Sequence, residues 1–247
     1  MSNFLTIKRS NDIKYDVIIE VDGHGEEFDL KDDNNELIDK LQNHIIEKFR
    51  EYIEENIFLT SETIFLSEKF KKLQNYWSDL ICAFPSQLLF DNSSREKNFT
   101  SLPESAILLL LNRNDFGVDE VNIWKNIINW AISKHSEPTT FSKKSVEAYT
   151  TEDFDFLKTK LEKFIPLIRF YTMTSTEFFN SVLPYEQMLS PELFQDLMKF
   201  YLVRNYKNTK IQESSADTNY YNKRVVRDDV IDYKKSKRKS KIFKIKL

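Results

Sequence analysis

The stretch that decides the fold is Leu102–Ala131, LPESAILLLLNRNDFGVDEVNIWKNIINWA, which reads as two consecutive buried helices joined by a tight polar turn. Pro103 suits the first turn of a helix, where its missing N–H is not needed. Ser101, just ahead of it, can cap the free N–H groups. Ala106–Leu111 is apolar on every side, so this helix belongs inside a helical stack rather than on its surface. Asn112–Gly117 breaks the pattern, and Gly117 has a backbone free to take positive φ. Val121, Ile123, Trp124, Ile127, Ile128 and Ala131 then recur at helical spacing, closing beside Trp130. By itself that periodicity predicts a packed helix pair and nothing more.

Working outward, Tyr15–Val21 (YDVIIEV) has the β-branched content of a strand, DGHG follows as a turn signal, and Glu26–Leu30 can return as a second short strand. A two-stranded hairpin is marginal alone and needs something to pack on. Asn35–Glu54 has helical period, with Leu37, Leu41, Ile45, Phe49, Tyr52 and Ile53 on one face. Thr60–Leu66 and Phe70–Ala83 predict further helices, the second ending before Pro85. Pro138–Ser145 reads as a polar loop. Thr150 or Thr151 can cap a helix carrying Phe154, Leu157, Leu161 and Phe164, which Pro166 ends or kinks. Thr174 with Glu177 forms a capping box ahead of Phe178, Phe179 and Val182. Ser190–Pro191 repeats the cap-then-proline pattern ahead of Leu193, Leu197, Phe200 and Tyr201. Antiparallel helix pairs joined by short loops fit this order.

The L-P-x-x-x-(apolar)-LL helix, the short turn with Asp, the acidic pair Asp119–Glu120 and a Trp ten residues after that Glu resemble the BACK domain. BACK is the helical module that follows the BTB (POZ) domain in Kelch-like and related adaptor proteins. The resemblance continues through PLIRFYTMTSTEFFNSVLPYEQMLSPELFQDLMKFYL, Pro166–Leu202, and covers roughly residues 50–203. It is strongest toward the fungal BTB-BACK group, which often carries a C-terminal TLD or Kelch region. DIKYDVIIEV likewise resembles the opening strand of a BTB domain, and NNELIDKLQNHIIEKF its closing helix. Only about Lys31–Asn34 separates the two, where a complete BTB domain would place roughly half its chain. The resemblance therefore implies an internally truncated BTB domain joined to BACK, and the 45 residues after Leu202 are too few for TLD or Kelch.

The implied fold is mostly α: a BACK-like antiparallel helical-pair stack with a short N-terminal β-hairpin remnant and a disordered basic tail. Its divisions are a strand remnant at 1–34, a closing-helix remnant at 35–56, a BACK-like domain at 57–203 and the tail at 204–247. Glu120 and Trp130 match the family's signature, and both are expected to be structural. Trp130 would fill core with its indole N–H seeking one partner. Glu120, near a helix start, would favour the exposed N–H groups there.

Composition agrees with a packed helical chain. Of 247 residues 40% are apolar and 34 are aromatic, enough for a core, while three Gly and six Pro argue against a turn-rich all-β design. One cysteine, Cys82, excludes an internal disulfide framework and fits a reducing compartment. No apolar run is long enough for a signal peptide or a bilayer span. These features predict a cytoplasmic protein, with a route to the nucleus through its tail.

No catalytic constellation emerges, so an enzyme is not expected. The His residues are His24, His44 and His135; none has metal-ligand spacing, and no cofactor is implied. His24 reads as a solvated turn residue, His44 as partly packed beside its helix's apolar face, and His135 as a ring favouring a helix C-terminus. Cys82, beside Ile81 and Ala83, reads as a small core residue rather than a nucleophile. Gly23 and Gly25 lack the third Gly and the Lys-Ser/Thr of a phosphate loop.

Charge is distributed unevenly. Residues 223–247 hold 11 Lys/Arg against 3 Asp, a net of +8, which leaves −11 for residues 1–222 of a chain whose total is −3. Lys234, Lys235, Lys237, Arg238, Lys239 and Lys241 place six positive charges in eight residues. Such a run can serve nuclear import, bind nucleic acid phosphates or meet an anionic membrane. Two functions are therefore expected from different classes. The first is a non-catalytic protein-interaction module, monomeric and without full cullin recruitment, because the BTB core that carries both surfaces is missing. The second is a nuclear or nucleic-acid-associated protein acting through its tail.

Overall fold

The computed structural model describes residues 6–9, 16–21, 24–29, 35–85 and 99–203, with backbone alone for the strands and for residues 35, 37 and 139. The chain divides into two compact units, Met1–Asp79 and Leu80–Leu247, and the division falls inside a helix. The resemblance places its boundary earlier, between residues 56 and 57.

In the first unit, β1 (Thr6–Arg9), β2 (Asp16–Val21) and β3 (His24–Asp29) form an antiparallel sheet in that order. The β-branched run of β2 takes the central place, with Thr6 opposite Glu20 on one side and Asp16 opposite Asp29 on the other. The expected hairpin is thus extended by a strand at its N-terminal side. Val21 pairs with His24, so His24 opens β3 rather than sitting in the turn. Only Asp22 and Gly23 lie between the paired residues, a dipeptide that two-residue hairpins prefer.

The helix expected over Asn35–Glu54 is two helices, α1 (Asn35–Lys48) and α2 (Arg50–Glu55). Phe49 between them leaves helical geometry at φ −115°, ψ 18°. Ile38, Leu41 and Ile45 are buried on α1, whereas His44 is exposed rather than partly packed. Then come α3 (Ile57–Ile64) and α4 (Lys71–Ala83). A helix start leaves N–H groups without intrahelical partners. At α4 two of these are met from α1, where the buried Gln42 accepts from the N–H groups of Lys72 (2.9 Å) and Leu73 (3.2 Å). The other end of the same amide donates to the Ile38 carbonyl at 3.3 Å, and Asp39 pairs with Lys72 at 2.9 Å. The fully buried Trp77 ties α4 to α3 by donating its indole N–H to the Ile57 carbonyl at 2.7 Å.

The second unit takes in the end of α4 from Leu80; its next described elements are a 3-10 turn, Phe99–Ser101, then α5 (Glu104–Leu111) and α6 (Glu120–Ser133). These are the two helices expected of the deciding stretch. The start differs in detail, because Pro103 is the N-cap of α5 and Ser101 belongs to the preceding turn. Ala106, Ile107 and Leu110 are fully buried, as are Ile123, Trp124 and Ile127 of α6. The link between the helices is held by a bidentate pair of Arg113 on Asp115, at 2.8 and 2.7 Å.

Pro138–Ser145 is not simply a polar loop: α7 (Pro138–Phe141) is a single helical turn that buries Phe141. Next, α8 (Thr151–Leu161) starts at a capping box of Thr150 with Asp153. α9 (Ser175–Ser181) starts at the expected box of Thr174 with Glu177. α10 (Pro191–Leu202) starts where Ser190 accepts from the Leu193 N–H. Each such side chain supplies partners that the first helical turn lacks, for about 1 kcal/mol. Pro166 lies in a short 3-10 turn, Ile165–Leu167, as befits a residue that cannot continue α8. The described residues are mostly helical, and no helix among them is long and apolar enough to cross a membrane.

Candidate interaction surface

Glu120 and Trp130 both lie inside the second unit. Trp130, only 4% exposed, donates its indole N–H to the Leu102 carbonyl at 2.9 Å and meets Phe164 edge-on at 5.2 Å. Trp124 repeats the arrangement two turns earlier, donating to the Ser181 carbonyl at 2.7 Å with Phe170 edge-on at 5.2 Å. Glu120 is the first residue of α6 and is buried. Its Oε2 accepts from the Arg169 N–H at 3.3 Å, so it engages a distant strand of main chain. Arg169 is itself buried and donates its guanidinium to Asn114 Oδ1 at 2.7 Å. Sequence reasoning did not single out Arg169; an arginine flanked by Ile168 and Phe170 in an apolar run is the signal that marks it. These side chains bind the unit together and leave external contacts to others.

The titratable groups are likewise structural. His135 sits between the rings of Phe141 (4.9 Å) and Phe156 (4.8 Å), and its Nδ1 accepts from the Glu137 N–H. Asp153 takes the Lys144 ammonium at 2.8 Å, which holds its carboxyl below the usual carboxylate range. Burial, reinforced by the neighbouring Tyr185, pushes the Tyr149 hydroxyl up to about 12. Cys82 is buried. Among the described residues no group of three or more His, Cys, Asp or Glu gathers at metal-binding distance.

What the second unit offers outward is concentrated around α10. At its start lies an open groove of about 490 Å³, bounded by Lys158, Glu162, Pro166, Met188 and Leu193. At its far end the ring of Tyr201 stacks on Phe178 of α9 at 4.3 Å, and Phe200 meets Tyr171 edge-on at 5.1 Å. The Tyr201 hydroxyl reaches the Phe170 carbonyl at 2.5 Å and the Met173 carbonyl at 3.1 Å, and burial raises its pKa. The Tyr171 hydroxyl donates to Asp196. These bonds fix a row of rings in place. Beside them Phe179 is 64% exposed, Leu202 71% and Val203 53%, the large apolar side chains most open to solvent among the described residues of this unit. Phe178 and Phe179 are adjacent on a helix that turns 100° per residue, and of the expected helix residues Phe178 and Val182 are buried while Phe179 is not.

The tail residues Lys234, Lys235, Lys237, Arg238, Lys239 and Lys241 lie outside the described residues, as does the whole expected tail from 204 onward. No protein-family model, curated protein or solved structure matches the chain.

Proposed function

We propose that this chain is a non-catalytic protein-interaction module related to the BTB-BACK adaptors of cullin-RING ubiquitin ligases. It acts as a monomer, without full cullin recruitment. One observation carries the reading. The residues of the resemblance are internal ties (Trp130 to Leu102, Glu120 to Arg169), while in the second unit the exposed large apolar residues, Phe179, Leu202 and Val203, lie on α9 and at the end of α10. Exposed apolar groups beside rigid aromatic rings are the usual material of protein contact surfaces. Such a module contributes by holding a protein partner, with no bond made or broken.

The test is capture of partners by the full chain, compared with the double variant Phe179→Asp and Leu202→Asp. Partners retained by the parent and lost by the variant support the reading; an identical partner set defeats it. Sedimentation of the purified chain is expected to give a monomer. A stable dimer, or micromolar cullin binding, would restore the full adaptor role.

A second reading rests on the +8 charge of residues 223–247. Binding to DNA or RNA through this segment would fall steeply with salt. It would also disappear when the six clustered Lys/Arg residues become Gln.

A further inference from the structure

We propose that Ser190 is a phosphorylation site for a proline-directed serine/threonine kinase, and that Lys158 receives the phosphoryl group across the groove at the start of α10. The site goes beyond the proposed function and does not depend on what Phe179 and Leu202 contact.

The sequence narrows the choice first. The prolines of the chain follow Phe84, Leu102, Glu137, Ile165, Leu183 and Ser190, so Ser190-Pro191 is its sole Ser/Thr-Pro pair. Proline has a fixed φ and no N–H, so a kinase cleft with an apolar slot and no acceptor beyond the reacting residue selects it. The structure presents the pair outward. Leu189 (φ −85°, ψ 150°) and Ser190 (φ −64°, ψ 147°) are extended. Met188 and Leu189 are buried and pin the segment, while Ser190, Pro191 and Glu192 are exposed.

The other hydroxyl caps of this unit are built differently. Thr150 and Thr174 are each closed by a carboxylate, Asp153 or Glu177, that accepts from the cap residue's own N–H. A phosphoryl group on either would confront that carboxylate. At Ser190 the corresponding position is Leu193, whose N–H donates to Ser190 Oγ at 3.2 Å, so no carboxylate closes the cap. Ser190 also lines the groove that the exposed Lys158 of α8 borders. A phosphoryl group there has a cation on the facing helix.

In the transfer, the γ-phosphorus of a nucleoside triphosphate forms a bond to Oγ as its bond to the departing diphosphate breaks. The hydroxyl proton passes to the kinase's base. The product carries about −1.5 to −2 charge at neutral pH. Lys158 and Glu162 give the unmodified groove one charge of each sign; the modified groove is anionic and favours a cationic partner.

The test uses native full-length protein, a purified proline-directed kinase and Mg-ATP, with the modified residue located by tandem mass spectrometry. Phosphorylation is expected on Ser190. Pro191→Ala should slow it several-fold. Ser190→Asn keeps a cap acceptor but has no hydroxyl, so it should abolish the modification while the fold is retained. In phosphorus NMR the phosphate of the modified chain should titrate about 0.2–0.7 pH unit lower than in Lys158→Met, the size of an exposed ion pair. Modification elsewhere would overturn the proposal. So would modification of Ser190 only after the protein is unfolded, or a phosphate titration that Lys158→Met leaves unmoved.

Discussion

Replacing Trp130 tests whether the deciding helix pair is held the way its geometry implies. The ring is 4% exposed, so Trp130→Ala empties a large volume at the centre of the unit, and substitutions of that kind cost about 3–5 kcal/mol. Part of that loss can be isolated. Leu102 is fully buried, and its carbonyl accepts the indole N–H; without the donor, that buried acceptor costs about 1–3 kcal/mol. Trp130→Phe removes the donor while keeping most of the ring and its edge contact with Phe164, so its cost should lie in the lower range. At about 2–4 °C per kcal/mol for a unit of this size, the Ala variant should melt roughly 6–20 °C below the parent. The Phe variant should melt about 2–12 °C below it on the same scale. Thermal unfolding followed by far-ultraviolet circular dichroism measures both. An Ala variant melting within about 1 °C of the parent would show the tie to be peripheral. A Phe variant as damaged as Ala would assign the cost to the donor alone.

Gln42→Leu should destabilise the first unit by about 1–3 kcal/mol and speed amide exchange at Lys72 and Leu73, whereas Gln42→Glu, which keeps the acceptor, should protect those two amides. Asp153 has its pKa lowered in the folded chain, so its contribution to stability is present above the ordinary Asp range and is lost as pH falls through the folded value. Lys144→Met should move the acid-unfolding midpoint upward, and an unmoved midpoint would deny Lys144 that role. Tyr149 has its pKa raised to about 12, so its contribution is fully present below the ordinary tyrosine value near 10 and is lost as pH rises through about 12. Absorbance at the tyrosinate band should show a late-ionising component that vanishes in Tyr149→Phe.

Local chemistry was the legible part of the fold. The capping box at Thr174–Glu177 and the cap-then-proline at Ser190–Pro191 are written within four residues, and the structure starts helices at both. The buried run Ala106–Leu111 was equally plain, because no polar residue interrupts it. Features set by distant chain were not legible. Phe141 stands among polar neighbours, so only its burial against His135 and Tyr149 reveals it as core. Gln42 looks like any surface glutamine until residues 30 positions later bring their N–H groups to it. Phe49 interrupts a periodic helix with no Pro or Gly to announce it. On the surface, adjacent phenylalanines at 178 and 179 carry the same sequence signal, and packing alone assigns one to the core and one to solvent.

The three tryptophans of the chain share one habit whose consequence reaches beyond stability. Trp77, Trp124 and Trp130 donate to the main-chain carbonyls of Ile57, Ser181 and Leu102. An acceptor belonging to the backbone is supplied by whichever amino acid occupies the position. Ser181 could become Ala or Cys with the bond to Trp124 intact, while Trp124 itself has no substitute that keeps both ring and donor. Mutational tolerance across each tie is therefore one-sided: a scan of all substitutions should find the indole end rigidly restricted and the carbonyl end open to any residue that fits its space. Two such positions have no reason to change in concert during descent. Contacts of this kind hold distant segments together while leaving no covariation by which sequences alone could betray them.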